Sequence, residues 1–432
     1  MMAEQKQVIP EGYKQTEVGV IPQQWAAVQL KEVFVLKNGY SFKGEFFSNT
    51  GPIVLTPGNF KLDGGLYFEE RNTKRYSGDY PDGFEFKTGD LVIVMTDLTP
   101  DCNLLGKPAF VKEEERVLHN QRIGKIEKLA KDWDLIYLYY TLLSPIYLST
   151  IKNAATGSTV RHTSPKTIAN AWVVLPSKKE QTIIANALSD VDALISELEK
   201  FIAKKQAIKT ATMQQLLTGK TRLPEFALRE DGTPKGYKVS ELGEIPVDWE
   251  IESLGNIFKI TAGGDLRKKE FSIIKTDTNN HPIFSNAISD KGIYGYSSTY
   301  DYDGEHLTIT ARGGIGHAVS RYGTFCAIGR LLVLKPISCF SCKFFEEYIN
   351  QYLEFASEST GVPQLTAPQV AKYIVVKPSF EEQIAIAINL SDMDEEIQSL
   401  QQRLNKTRQI KQGMMQELLT GKTRLVKPEV TA

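Results

Sequence analysis

Two stretches of the chain carry the same alternation of apolar and polar positions. Apolar side chains fall at Ile184, Leu188, Val191, Ile195, Leu198 and Ile202, and again at Ile386, Leu390, Met393, Ile397, Leu400 and Leu404, with steps of 4, 3, 4, 3 and 4 in each run. That alternation of fours and threes, the 3.5-residue heptad pattern, is the seam of a coiled coil, so each stretch predicts a long amphipathic helix. Ser177 and Ser379 stand three residues before Glu180 and Glu382, the spacing of a capping box. Gly219 and Gly421 stand where a helix ends in a left-handed residue. A helix of about 40 residues is roughly 60 Å long. Alone, each would leave its stripe wet, so the two are expected to pack on each other, antiparallel, within one chain. Two matched seams in one sequence favour this over pairing between chains.

The helices belong to a larger duplication. Residues 176–223 align with 378–425 without a gap and share 25 of 48 positions, including Pro-Ser-x-x-Glu-Gln at the start and Leu-Leu-Thr-Gly-Lys-Thr-Arg-Leu at the end. Residues 12–34 align with 236–258 at 10 of 23 positions, including Gly19-x-Ile21-Pro22-x-x-Trp25 and Gly243-x-Ile245-Pro246-x-x-Trp249. Between these blocks the halves differ: Trp25 to Pro176 spans 151 residues, Trp249 to Pro378 spans 129, and little identity is visible. Each half is thus a variable insert closed by a shared helix, an arrangement for one task performed on two different targets.

Within the inserts, β-branched runs bounded by Gly, Asp or Pro predict strands at 91–95, 172–175, 307–310, 331–334 and 373–376. Helices are predicted at 135–152 and 342–357. Turns are expected at Gly64-Gly65, Gly263-Gly264 and Gly313-Gly314. The fold class is α+β.

Several motifs have plainer readings than their chemistry. Gly219-Lys220-Thr221 and Gly421-Lys422-Thr423 resemble the end of a phosphate-binding loop. However, Gln214 and Gln416 occupy the position of its first glycine, and the triplet follows a helix instead of opening one. Pro81-Asp82 with Glu85-x-Lys87 has a nuclease-like spacing, yet both acids lie in one Gly-containing turn. Cys339-x-x-Cys342 falls short of a zinc site, which needs four ligands; Cys326 and His317 could complete it only through the fold. No catalytic constellation and no metal-ligand pair of histidines emerges, so the chain reads as non-catalytic.

Composition adds boundaries. The chain has 432 residues, 51 Lys+Arg, 52 Asp+Glu, a net charge of −1 and four cysteines. It holds no apolar run of membrane length and no apolar leader, and it is too poor in cysteine for a disulfide framework; a cytoplasmic protein is expected. Near-zero charge by itself argues against nucleic acid. The basic residues are nevertheless grouped: six and no acid in 200–222, six and only Glu417 in 403–424. These could be solvated helix ends complementing the dipole or a stripe facing phosphates. Polar-basic loops in the inserts carry side chains able to bond base edges. The candidate DNA-binding residues are Lys43, Asn59, Arg71, Lys74, Arg75, Thr96, Asn120, Gln121 and Arg122 in the first half, and Arg267, Lys268, Asn286, Arg312 and Gln364 in the second.

Gly-x-Ile-Pro-x-x-Trp, a variable insert, Pro-Ser-x-x-Glu-Gln, a long helix and Leu-Leu-Thr-Gly-Lys, all occurring twice, resemble the specificity subunit of a type I restriction–modification system. Thr88-Gly89-Asp90-Leu91 with His119-Asn120-Gln121-Arg122, and Asp303-Gly304 with Arg312-Gly313-Gly314-Ile315-Gly316, are similar to the family's recognition-domain pattern. The first insert departs from it, with Asp97-Leu98-Thr99-Pro100-Asp101 where a Gly-rich turn is usual. The resemblance implies two target-recognition domains, 1–177 and 244–379, each reading one half of a bipartite, asymmetric DNA sequence. Helices 178–222 and 380–425, an antiparallel coiled coil in a pseudo-twofold repeat, would set the unread spacer. Residues 223–243 would be a linker and 426–432 a tail. Half-sites one helical turn apart are separated by about 34 Å, within reach of such helices. Implied partners are DNA, two methyltransferase subunits and restriction/translocase subunits, without a membrane. S-adenosylmethionine, ATP and Mg belong to those partners, with no cofactor in this chain. On this reading the chain alone binds DNA modestly, and its partners supply much of the phosphate grip. The alternatives are a specificity chain for a fused methylase–nuclease, a self-contained nuclease or NTPase, and a scaffold without DNA binding.

Overall fold

Both long helices form where the seam predicts them, Lys178–Leu216 and Phe380–Leu418, 39 residues each. The computed structural model describes residues 9–99, 101–158, 160–355 and 364–426. Pro100 and all of the expected tail but Val426 lie outside them. The chain forms two units, residues 1–198 with 403–432, and residues 199–402. Each boundary falls inside a long helix, so each unit owns the front of one helix and the rear of the other.

In the first unit, Ala26–Gln29 pairs antiparallel with Trp172–Leu175, next to a hairpin of Tyr13–Thr16 and Gly19–Pro22. A four-stranded antiparallel sheet follows in the order Val35–Asn38, Ile123–Glu127, Leu91–Val94, Pro108–Phe110. A three-stranded sheet places Phe47–Leu55 between Lys74–Tyr76, antiparallel, and Val117–His119, parallel. Leu91–Val94 is buried along its whole length, which is why it reads as an unbroken apolar run. The single helix expected at 135–152 is two, Leu135–Leu142 and Pro145–Asn153. Pro145 cannot continue a helix but suits its first position, and the Ser144 Oγ accepts from the Tyr147 N–H at 3.3 Å to start the second.

The second unit repeats this plan. Glu250–Ser253 pairs with Ile374–Lys377, beside the hairpin Tyr237–Ser240 and Gly243–Pro246. The four-stranded sheet runs Phe258–Ala262, Leu332–Pro336, His306–Ile309, Ala318–Arg321. In the other sheet His281–Phe284 lies between Ile293–Ser297, antiparallel, and Cys326–Ala327, parallel, with Phe271–Ser272 added at the edge. Two inserts of little identity therefore share one topology. Helix Cys342–Tyr352 ends earlier than 357 because Leu353 turns extended.

The duplicated motifs meet in one junction per unit. In the first, Trp25 Nε1 donates to Glu180 Oε2 at 2.9 Å, and Arg424 Nη2 donates to the same oxygen at 2.9 Å. In the second, Trp249 Nε1 donates to Glu382 Oε2 at 2.9 Å and Arg222 Nε to Glu382 Oε1 at 2.8 Å. Both carboxylates are 1 % exposed. The adjoining Gln181 and Gln383 hold the inserts, accepting from the Asp134 and Ser341 backbone N–H groups at 2.8 and 3.0 Å. The expected capping boxes are therefore half formed. Ser177 and Ser379 accept from the Glu180 and Glu382 N–H groups at 3.3 Å, but the glutamate side chains are taken by tryptophan and arginine. Gly219 and Gly421 adopt φ +70°, and a Cβ at either would lie 2.5 Å from Pro246 or Pro22. The Gly-Lys-Thr segments are helix ends seated on the Ile-Pro-x-x-Trp blocks.

Along the helices the seam residues Ile184, Leu188, Ile195, Leu198, Ile202, Ile386, Leu390, Ile397 and Leu404 are buried. In the first unit Lys411 pairs with Asp192 at 2.6 Å; in the second Lys209 pairs with Asp394 at 2.6 Å and Lys205 with Glu396 at 2.7 Å. Within each unit the two helix segments run antiparallel, since Glu180 meets Arg424 where Asp192 meets Lys411, and Glu382 meets Arg222 where Asp394 meets Lys209. The basic helix rears are thus substantially occupied by the acidic helix fronts.

Removing one partner of a buried ion pair costs about 3–5 kcal/mol, because the other charge stays buried. Arg222→Met should lower stability by that order in urea unfolding, while Arg222→Met with Glu382→Gln, which removes the buried charge and keeps an acceptor for Trp249 Nε1, should recover much of it. Equal losses in the single and double variants would show that Glu382 is not held by this charge.

Candidate nucleic-acid interface

Five of the predicted residues of the first half line one groove. Arg71, Lys74, Asn120, Gln121 and Arg122 surround it with Asn72, Phe42, Phe47 and Leu98. The turn at 120–122 joins the parallel strand Val117–His119 to the central strand Ile123–Glu127. It is built by backbone bonds: Gln121 N donates to Tyr40 O and Met95 N to Arg122 O, each at 2.9 Å, while Asn120 Oδ1 accepts from Arg122 N at 2.9 Å. The Gln121 and Arg122 side chains are left exposed. His119 of the same motif points inward. Its Nε2 donates to Ile123 O at 2.8 Å, its ring packs on Phe86 at 4.5 Å between centroids, and burial pushes its pKa down to about 4. It is a core residue that sets the turn.

The other candidates in this half lie elsewhere. Lys74 and Arg75 are neighbours on one strand and so face opposite ways; Arg75 pairs with Glu115 at 2.7 Å. Asn59 is fully buried, accepting from Thr56 N at 2.9 Å and donating to Asn72 O at 3.1 Å. Thr96 is buried beside His162, 3.2 Å from its Nδ1. Lys43 is exposed at the start of the short turn Gly44–Phe46. The departure at 97–101 has a physical form: buried Asp97 accepts from Thr99 N at 2.7 Å and from Leu104 N at 2.6 Å, so a carboxylate organises this loop in place of glycines.

In the second unit the geometry gathers Asn286, Arg312 and Gln364. Arg312 Nη2 donates to Gln364 Oε1 at 2.9 Å, and Leu365 N donates to Ala311 O at 2.9 Å. Asn286 Oδ1 accepts from Ala311 N at 2.7 Å, and its Nδ2 donates to Gly329 O at 2.7 Å. Gly313 and Gly316 take φ +70° and +90° in the loop that carries Arg312. Beneath, the buried Arg321 lies over Phe284 at 3.7 Å and donates to Lys291 O at 2.6 Å, bracing the 285–292 segment. Arg267 is not in this group, since Glu270 and Asp301 hold it at 3.1 and 2.9 Å. Lys268 follows it in an exposed turn.

Arg330 is not among the residues that the sequence singles out. In the shared topology the turn at 328–330 occupies the place of 120–122: Ile328 bridges Gly264 as Asn120 bridges Tyr40, and Gly329 N donates to Gly264 O at 3.0 Å. Arg330 therefore stands where Arg122 stands. Only the arginine before a buried aliphatic residue links Asn120-Gln121-Arg122-Ile123 with Ile328-Gly329-Arg330-Leu331. That signal becomes visible only once the strands are matched.

Two other motifs from the sequence have plain structural roles. Glu85 and Arg116 form an exposed pair with Tyr80. Cys339 is exposed and Cys342 buried. Among the described residues, no group of three or more His, Cys, Asp or Glu is placed to hold a metal ion, and no helix is long and apolar enough to cross a membrane.

The model of the type I restriction modification DNA specificity domain matches the chain twice, over residues 22–210 and 246–409. The MjaVIII specificity subunit of a type I restriction enzyme from Methanocaldococcus jannaschii is 27 % identical over 70 % of this chain and 73 % of its own. The EcoBI specificity subunit from Escherichia coli is 28 % identical over 54 % and 46 %. Among solved structures, the type I restriction–modification S subunit from M. genitalium superposes with a TM-score of 0.59 at 17 % identity, covering 91 % of this chain and 96 % of that one. A chain from a study of assembly and conformational transition of the type I system does so at 0.52 and 14 %, covering 93 % and 99 %.

The buried His119 makes a pH prediction. Unfolded, it takes a proton near pH 6.5; folded, only near pH 4. Between those values the unfolded chain binds more protons, so stability is full above pH 6.5 and falls as pH drops toward 4, by up to about 3 kcal/mol. His119→Gln should flatten this decline in urea titrations at successive pH values. An unchanged slope would place the titrating group elsewhere.

Proposed function

The chain belongs to the type I restriction–modification DNA specificity family, and from that premise we propose that each unit reads one half of a bipartite, asymmetric DNA target. The chain is the DNA sequence-recognition subunit of a type I restriction–modification complex. It works with methyltransferase and restriction subunits and carries no catalysis of its own. The observation that bears most on the reading is one topology built twice with different loops: an Asp97-centred loop and an arginine-bearing groove in one unit, a glycine loop with Arg312 and Gln364 in the other. Equal scaffolds with unequal loops are what unequal half-sites require.

The two long helices pair as an antiparallel coiled coil that sets the unread spacer, a view supported by the ion pairs of opposite helix ends within each unit. Two methyltransferase subunits dock on the assembly and methylate adenine using S-adenosylmethionine, and the restriction/translocase subunits use ATP and Mg, all in the cytoplasm. Arg71, Lys74, Gln121 and Arg122 in one unit, and Arg312 with Gln364 in the other, face the DNA. Asn59, Thr96 and Asn286 position loops, and Arg75 and Arg267 are held in ion pairs.

Replacing residues 244–379 with the corresponding insert of another specificity chain, with partners present, should change one half of the methylated motif and leave the other half intact. Sequencing of methylated bases reads the result. A change in both halves would contradict the modular reading.

A further inference from the structure

Arg330 combines three features. It has φ +68°, in the left-handed region, immediately after Gly329 at +65°. A side chain is costly there and glycine is at ease, so an arginine in that position has a reason other than the backbone. It is exposed, and among the described residues its guanidinium has no hydrogen bond or ion pair. Asn286 also ties it to Arg312, because one amide accepts from Ala311 N and donates to Gly329 O, each at 2.7 Å. The residues that follow these two anchors, or follow close on them, are Arg312 and Arg330.

We propose that Arg330 is a specificity-determining residue, reading a guanine in the half-site that the second unit recognises, and that Asn286 is the positioning residue that sets Arg330 beside Arg312. The inference rests on the recognition function proposed above. The guanidinium fork matches the O6 and N7 acceptors of guanine in the major groove, a contact that carries sequence information, whereas a phosphate contact would not. The first unit offers Arg122 in the same place of the same topology, at the mouth of a groove lined by Arg71 and Lys74. An arginine at this turn is thus common to both units, although its neighbours are not.

The test uses the full chain with its methyltransferase partners. The motif methylated by the wild type is determined first. Methylation rates are then measured on duplexes carrying every single-base change in that motif. Arg330→Gly is the primary variant, because glycine accepts φ +68° without strain and the turn survives. At one G·C position in one half-site, preference should fall from roughly tenfold to a hundredfold to below about twofold, with the other positions and the other half-site unchanged. Arg330→Lys, which keeps the charge but not the fork, should fail to restore it. Asn286→Ala should weaken selectivity at the same position and at the one that Arg312→Ala affects. An unchanged pattern in Arg330→Gly, a uniform loss at all positions with a reduced salt slope, loss at an A·T pair, or full rescue by lysine would each overturn the assignment. Absence of any sequence preference in the wild type would overturn the recognition function together with it.

Discussion

Each unit depends on one buried carboxylate. Glu180 and Glu382 are withdrawn from water at the start of their helices and are held between a tryptophan from the beginning of the insert and an arginine from beyond the end of the other helix. A buried anion without partners is costly, and with both partners it fixes three distant pieces of chain in one geometry. The neighbouring glutamine extends the same junction into the insert. The rest follows from this point: the helix end must be glycine to clear proline, and the insert must begin and end at the junction. Its sheets are then free to carry different loops.

The net charge of −1 takes its meaning from the same architecture. Acidic helix fronts meet basic helix rears, and the junction arginines are taken by glutamate, so part of the basic charge grouped at the helix rears is paired within the protein. What the candidate loops present is a small set of polar and basic side chains, among them Arg71, Gln121, Arg122 and Arg312.

The helices and the duplication were legible because a 3.5-residue period and gapless identity are properties of the sequence itself. Strands buried throughout, such as Leu91–Val94, were legible as apolar runs. Short polar strands such as Val35–Asn38 and Lys74–Tyr76 were not, because they are specified by pairing partners far along the chain. The helical character of 135–152 was legible but its division into two helices was not, although Pro145 marks the break. The capping boxes were half right, since local spacing cannot show that Trp25, 155 residues away, competes for the same carboxylate. For the candidate site, the sequence gives the chemistry of each side chain but not its direction. Asn59 and Thr96 have the right chemistry and point inward, Lys74 and Arg75 part on a strand's two faces, and Arg330 has no motif around it. Its place appears only when two dissimilar inserts are seen to share one topology.

This chain chooses the sequence at which a type I complex acts. Methylome sequencing of cells with and without the gene tests it most directly. A bipartite methyladenine motif, two unlike half-sites with an unread spacer of constant length, should be present with the gene and vanish on its deletion. Methylation that stays unchanged after deletion, in cells that express the gene and its partners, would contradict the account.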